Sequence, residues 1–285
     1  MYRRIYLCGG GMKCVSNVGV LQVLEEMGYL PFIKEWMGIS SGGLQAMMVV
    51  AGYTVAQGIE ILKMDWQQIT EPDLASGWLF NMGYDTGNRL LRFLFALLKE
   101  KGHKELITFQ ELFQATGKAF RTFATNMNSG TLVEFSKEKT PEYPVAYSIR
   151  ASMSLPFYFQ PFTCPITQIV YSDGGVITNF PLQYIPEEER LETLGVNIHY
   201  APDPNPSMDL PEYIMRPFLI FLAARTQEDS NRYPQQTIII KGIASNPTNF
   251  GMEFDEKMDL VAKGRAAAKE FFQKYRKPVR RYSVS

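Results

Sequence analysis

Gly38-Ile39-Ser40-Ser41-Gly42 closes the apolar run Trp36-Met37-Gly38-Ile39 and spells G-x-S-x-G. In that pattern a serine hydroxyl is lifted onto a sharp strand-to-helix turn, the nucleophile elbow. The register is unambiguous: Ser41 as the central serine would need glycine two residues earlier, and that position is Ile39. Ser40 is therefore the candidate nucleophile, flanked by Gly38 and Gly42. At ordinary glycine and serine frequencies roughly one chain in ten of this length carries the pattern by chance, so the rest of the chain has to corroborate it.

Corroboration begins at the N-terminus. Ile5-Tyr6-Leu7-Cys8 reads as a short buried strand running into Gly9-Gly10-Gly11-Met12-Lys13. Consecutive glycines let backbone N–H groups converge on one point, and a following helix adds its positive end, which makes an anion site. A dinucleotide fold would want G-x-G-x-x-G, but Cys14 stands where the third glycine belongs, and the second strand closes on Ser40 instead of an acidic residue. No Gly-Lys-Ser/Thr follows, which excludes a P-loop. An oxyanion hole remains, against the plainer reading of a turn needed only for tight strand-to-helix packing.

The helix that follows, about Asn17 to Met27, carries Val20, Leu21, Val23, Leu24 and Met27 on one stripe and stops at Gly28. The strand Trp36–Ile39 comes next, then a Met- and Ala-rich helix from Gly42 to about Val50, ended by Gly52. Such a βαβ unit predicts parallel, neighbouring strands, with the glycine loop beside the serine at their carboxyl ends.

A serine nucleophile needs a base, and the chain has two histidines. His103 sits in the polar loop Lys101-Gly102-His103-Lys104, and His199 ends the strand-like Leu194-Gly195-Val196-Asn197-Ile198; neither has a motif around it. Asp173 is the better partner. Ile169-Val170-Tyr171-Ser172-Asp173-Gly174-Gly175 delivers a carboxylate into a turn where Gly174 and Gly175 permit close approach of another backbone, although Asp-Gly-Gly standing alone reads as a hairpin turn.

These residues resemble the patatin-like phospholipase family. Gly9-Gly10-Gly11-Met12-Lys13 is similar to its glycine loop with a basic residue, Gly38 to Gly42 to its G-x-S-x-G, and Asp173-Gly174-Gly175 to its D-G-G. Arg150-Ala151-Ser152-Met153-Ser154-Leu155-Pro156 and Phe159-Gln160-Pro161 resemble the segment before the family's aspartate. Asn179-Phe180-Pro181 resembles the N-x-P after it, and Lys263-Gly264 the closing segment. The resemblance implies a three-layer α/β fold, a mostly parallel central sheet flanked by helices, and a Ser40–Asp173 dyad without a catalytic histidine. It also implies an oxyanion hole from Gly9, Gly10, Gly11 and Met12, and no cofactor. A carboxylate shielded from water is a stronger base than its reference pKa suggests, so the dyad is chemically sound. Lys13 would support the loop or attract a phosphate; the bland alternative is a solvent-facing charge. Cys14 departs from the family glycine, and reads either as a thiol activated near a helix N-terminus or as a buried packing residue.

Composition agrees. The 285 residues, 46% hydrophobic, suffice for one large α/β domain over 1–285 with a basic tail at about 274–285. With 29 basic and 29 acidic side chains there is no overall footprint for nucleic acid. Three cysteines without metal-ligand spacing fit a reducing compartment and no metal site. The N-terminus shows no signal-peptide core, so a cytoplasmic location is expected. No run approaches the ~20 apolar residues that span a bilayer, which makes lipid contact peripheral. Leu90–Leu98 and Pro217–Ala224 are strongly apolar; both read as core helices, and the first is the choice for a lid or acyl-pocket wall. The tail Lys274–Arg281 reads as a solvated terminus or a headgroup contact, and Arg280-Arg281-Tyr282-Ser283 as a basophilic kinase site. The expected function is a serine acyl hydrolase acting on phospholipid or lysophospholipid esters. The alternatives are an acylglycerol lipase or nonspecific esterase and, from another class, a catalytically silent lipid-binding module; a dehydrogenase fails at Cys14.

Overall fold

The computed structural model describes residues 2–72, 81–200, 210–243 and 246–275; the predicted kinase site and most of the basic tail lie outside them. The first unit follows the sequence closely. Strand β1 (Arg4–Leu7) leads through a 3-10 turn (Gly11–Cys14) into α1 (Val15–Glu26), then β2 (Glu35–Ile39) and α2 (Ser40–Ala51). All of β2 and the last three residues of β1 are buried, as expected of parallel strands covered on both faces. Helix α2 ends at Gly52, whose φ of 107° no side chain tolerates readily. A capping box between Thr54 and Gln57 starts α3 (Val55–Leu62).

Strand β3 (Gly83–Asp85) and α4 (Asn88–Glu100) come next. Then α5 (Phe109–Thr116) leads to β4 (Ala119–Asn126) and β5 (Thr131–Ser136). After α6 (Val145–Ser152) come the short β6 (Phe157–Phe159), β7 (Phe162–Thr163) and β8 (Val170–Asp173). The chain continues through α7 (Glu187–Leu191), β9 (Thr193–Tyr200), α8 (Leu210–Asn231), β10 (Thr237–Ile243) and α9 (Phe254–Lys274).

The main sheet runs β10-β9-β1-β2-β4-β8-β7, with β5 also on β4. From β10 to β4 every pairing is parallel, while β5, β8 and β7 join antiparallel. This is the three-layer α/β arrangement, a mostly parallel sheet between helices. Lys263-Gly264 lies where α9 crosses α1: a Cβ on Gly264 would overlap the Ser16 carbonyl oxygen, and one on Gly19 the Val261 carbonyl, so two backbones meet there with no room for a side chain. At the amino ends of β1, β2 and β4, Glu35 joins Arg4 at 2.8 Å and Arg121 at 2.6 Å. That buried charge cluster ties the sheet together at the end opposite Ser40.

Leu90–Leu98 is part of α4, and its face is now defined. Leu90, Leu94, Leu97 and Leu98 are buried, at most 3% exposed, so the stripe packs into the core and forms no wall of the cavity described below. Pro217–Ala224, also expected to be core, lies in α8 with Ile220 and Phe221 half-exposed.

Candidate active site

Ser40 and Asp173 come together through a change of partner along one edge of β4. Residues Arg121–Phe123 pair with β2 on one side and β5 on the other; Ala124–Asn126 pair with β5 again and with β8. Strands β2 and β8 therefore occupy the same edge in succession. β2 ends with Ile39 opposite Phe123, and the antiparallel β8 ends with Asp173 opposite Ala124. The two carboxyl ends point at each other across one residue step, and the chain leaves β2 at Ser40 and β8 at Gly174. The abutment is tight enough that a Cβ on Gly174 would stand 2.5 Å from the Ile39 side chain.

The elbow itself is strained. Ser40 has φ of 52°, a left-handed conformation sparsely populated by serine. Helix α2 starts at Ser40, two residues before the expected Gly42, and its first turn presses on its surroundings. A Cβ at Gly42 would overlap the carbonyl oxygens of Leu7 and Cys8, and one at Gly38 would sit 2.5 Å from the Gly42 carbonyl. Gly42 thus allows the end of β1 to touch the elbow, and Gly38 lets β2 pack against the first turn of α2. The Ser40 N–H donates to Ser152 Oγ at 2.8 Å, and Ser152 is held in turn by Thr122 Oγ1 at 3.3 Å.

Asp173 is 3% exposed. Burial pushes its carboxyl up to about 6, opposed by hydrogen bonding from the Ser40 side chain and from the Gly175 N–H, which donates to Oδ1 at 2.7 Å. A carboxylate in this position is ionised at neutral pH yet more basic than an exposed one, which suits a general base. The histidines are elsewhere: His103 Nε2 lies 3.0 Å from the Ala51 carbonyl oxygen and His199 Nε2 2.8 Å from Ser230 Oγ. Neither lines the cavity that holds Ser40.

The glycine loop stands beside the elbow, but its four donors are not equivalent. Gly9 N–H donates to Asn179 Oδ1 at 3.1 Å while Asn179 Nδ2 donates back to the Gly9 carbonyl at 2.9 Å. Met12 N–H donates to the Pro247 carbonyl at 2.8 Å. Of these four, Gly10 and Gly11 have N–H groups with no acceptor among the described residues, with Gly11 at a φ of 56°. Of the four donors expected for an oxyanion hole, Gly9 and Met12 are thus held within the protein as fixed points of the loop, and Gly10 and Gly11 are left open. Asn179 went unassigned in the sequence reading, although its N-x-P signal was visible. Ser152, inside the segment that precedes Asp173, was likewise not assigned as a support for Ser40.

Lys13 is buried at 3% exposure and lines the same cavity, which removes the solvent-facing reading. Burial lowers its ammonium to about 8, against the influence of Cys14. Cys14 is 1% exposed and its thiol donates to the Cys8 carbonyl at 3.3 Å, as a packing residue does. Among the described residues no group of three or more His, Cys, Asp or Glu side chains could hold a metal ion.

Ser40, Asp173, Lys13, Asn179 and the glycine loop share one cavity of ≈ 1560 Å³, open solvent at its mouth included. Beyond the polar end its walls are apolar: Leu44 and Met48 of α2, Ile61 and Leu62 of α3, Trp66, and Phe250. Helix α8 closes a further side with Leu219, Leu222, Ala223 and Thr226. The apolar wall that α4 was expected to supply comes from α2, α3 and α8, and α4 backs the cavity from behind, through the edge contact of Phe93 on Trp66, centroids 5.8 Å apart, and through the Tyr53 hydroxyl, which donates to the Leu97 carbonyl at 3.0 Å.

A family model described as "Patatin-like phospholipase" matches residues 5–185. The chain is 24% identical to the uncharacterized protein YqhO of Bacillus subtilis (strain 168) over 298 residues, 96% of this chain and 99% of that one. It is 31% identical over 184 residues to the probable lipid hydrolase 463L of Invertebrate iridescent virus 6, covering 64% of this chain and 62% of that one. The fold is similar to VipD from Legionella pneumophila, with a TM-score of 0.61 at 14% identity over 96% of this chain and 67% of that chain. It is also similar to the type III effector protein ExoU, with a TM-score of 0.56 at 14% identity over 96% of this chain and 53% of that chain.

Proposed function

This chain belongs to the patatin-like phospholipase family, and on that premise we propose that it is a serine acyl hydrolase cleaving fatty-acyl esters of phospholipids or lysophospholipids through a Ser40–Asp173 dyad and an acyl-enzyme. Ser40 Oγ attacks the ester carbonyl carbon as its proton passes to Asp173. The carbonyl oxygen becomes an oxyanion held by the N–H groups of Gly10 and Gly11, with the positive end of α2 adding to the field. The intermediate collapses, the C–O bond to the alcohol breaks, and the proton on Asp173 goes to the leaving oxygen. A water then gives its proton to Asp173 and attacks the acyl-serine carbonyl; collapse of the second intermediate returns the proton to Ser40 Oγ and frees the fatty acid.

The observation that carries this reading is the end-to-end meeting of β2 and β8, which faces a serine at positive φ with a buried carboxylate whose basicity burial has raised. The apolar cavity running from that pair supports an acyl chain as the bound group, each buried CH₂ contributing about 0.8 kcal/mol. Lys13, at the polar end, supports the phosphate-bearing substrate over a neutral acylglycerol. The test is product analysis by mass spectrometry on mixed phospholipids with wild type, Ser40→Ala and Asp173→Asn. Free fatty acid with the matching lyso or deacylated product is expected from wild type alone; fatty acid release by folded Ser40→Ala would remove the mechanism.

A further inference from the structure

Helix α8 is apolar on two faces, and only one of them is buried. Residues Leu219, Leu222, Ala223 and Thr226, spaced i, i+3, i+4, i+7, line the cavity that holds Ser40. Tyr213, Pro217, Ile220, Phe221 and Ala224, spaced i, i+4, i+7, i+8, i+11, form the opposite stripe and are exposed; Tyr213 is 60%, Ile220 49% and Phe221 58% exposed. From Pro217 to Ala224 there is no charged side chain. An ordinary surface helix carries polar residues on its outer face, and a helix apolar all round is buried in a core or in lipid. Here the core covers only half of it.

We propose that this outer stripe, Tyr213–Pro217–Ile220–Phe221–Ala224, is the surface by which the protein docks on a lipid layer, setting the mouth of the acyl cavity against the layer from which the substrate is drawn. The inference rests on the acyl-hydrolase reading above. What selects lipid over another occupant is the shared helix. The turns of α8 that wall the cavity holding Ser40 also bear the exposed stripe on their outer side, so a lipid layer covering the stripe lies within one helix diameter, ~10–12 Å, of the apolar cavity. Among the described residues no helix is long and apolar enough to cross a membrane, and α8 accordingly lies along the surface with its stripe dipped in, as interfacial helices do. Since the stripe is uncharged, docking is driven by apolar insertion, and neutral headgroups suffice.

The test uses the full chain and vesicles of ether-linked phosphatidylcholine, which no ester hydrolase digests, together with a soluble short-chain ester assay. Ile220 and Phe221 line no part of the cavity, so the double substitution Ile220→Ser/Phe221→Ser is expected to weaken vesicle co-sedimentation about tenfold or more. Soluble-ester turnover and the melting temperature should stay at wild-type values, and wild-type binding should be insensitive to added salt. As a second variant, Phe221→Trp should show a blue-shifted increment of emission when vesicles are added. Wild type that ignores the vesicles, a double variant that binds them as well as wild type, or no Phe221→Trp shift would overturn the proposal. So would a wild-type dimer that the double substitution disperses, since the stripe would then belong to a second copy. Binding that is intact in a wild type unable to hydrolyse the soluble ester would refute the acyl-hydrolase reading and leave the docking surface standing.

Discussion

Asp173→Asn should make the protein more stable at neutral pH while removing its activity. Burial raises the Asp173 carboxyl from 3.8 to about 6, so the folded state binds its proton more tightly than the unfolded chain does. A group shifted in this direction stabilises the fold fully below pH 3.8, and that contribution is lost as pH rises through 6. The difference corresponds to about 3 kcal/mol once both states are ionised, and to roughly half that at pH 5, where the folded carboxyl is still mostly protonated. Asparagine has nearly the same shape, keeps an oxygen to accept from Gly175 N–H, and carries no charge to desolvate. Its advantage over wild type should therefore be about 3 kcal/mol at pH 8, or about 5 °C in melting temperature for a chain of this length, shrinking to roughly half that at pH 5. Differential scanning fluorimetry of both proteins across pH 4.5–8.5, with denaturant titrations at pH 5 and 8, measures it. A melting difference that is negative, or flat with pH, would show that Asp173 is not a desolvated carboxylate and would remove the basis for its role as a base.

The Asn179→Ala variant loses the pair of hydrogen bonds that fixes Gly9, so kcat on a soluble ester should fall by about 10²-fold, comparable to loss of an oxyanion donor, with KM little changed; unchanged kcat would show that the loop needs no such anchor. Leu94→Ala should cost about 2–5 kcal/mol and depress short- and long-chain substrates in parallel, whereas selective loss on long chains would return α4 to the role of a lid. Exhaustive EDTA should leave turnover of a soluble short-chain ester intact, and metal-dependent activity there would contradict a metal-free dyad.

Much of the site was legible because its signals are local. The glycine loop, the elbow and the Asp-Gly-Gly turn each lie at a strand end, and strand ends are marked by short apolar runs followed by glycine. The parallel neighbours β1 and β2 follow from one βαβ unit. What sequence could not show depends on distant partners. The meeting of Ser40 and Asp173 rests on β8 taking over the edge of β4 that β2 leaves, an antiparallel switch that no periodicity encodes. Gly9 and Met12 drop out of the donor set because Asn179 and Pro247, more than 160 residues away in sequence, claim their N–H groups. Of the two apolar segments, α4 turns four leucines inward as a core helix does, and the cavity wall sought in it comes instead from α8 among others. Hydrophobicity alone does not say which side of a helix meets the core.

The dyad is tested most directly by the rate and site of fluorophosphonate labelling, followed by peptide mapping over pH 4.5–8.5 in wild type, Asp173→Asn and His199→Ala. The account predicts an adduct on Ser40 and not on Ser41, a wild-type rate that rises with a midpoint near the Asp173 value of about 6, near-abolition in Asp173→Asn, and a rate close to wild type in His199→Ala. An adduct on another serine, or labelling that survives Asp173→Asn and disappears in a folded His199→Ala protein, would contradict it.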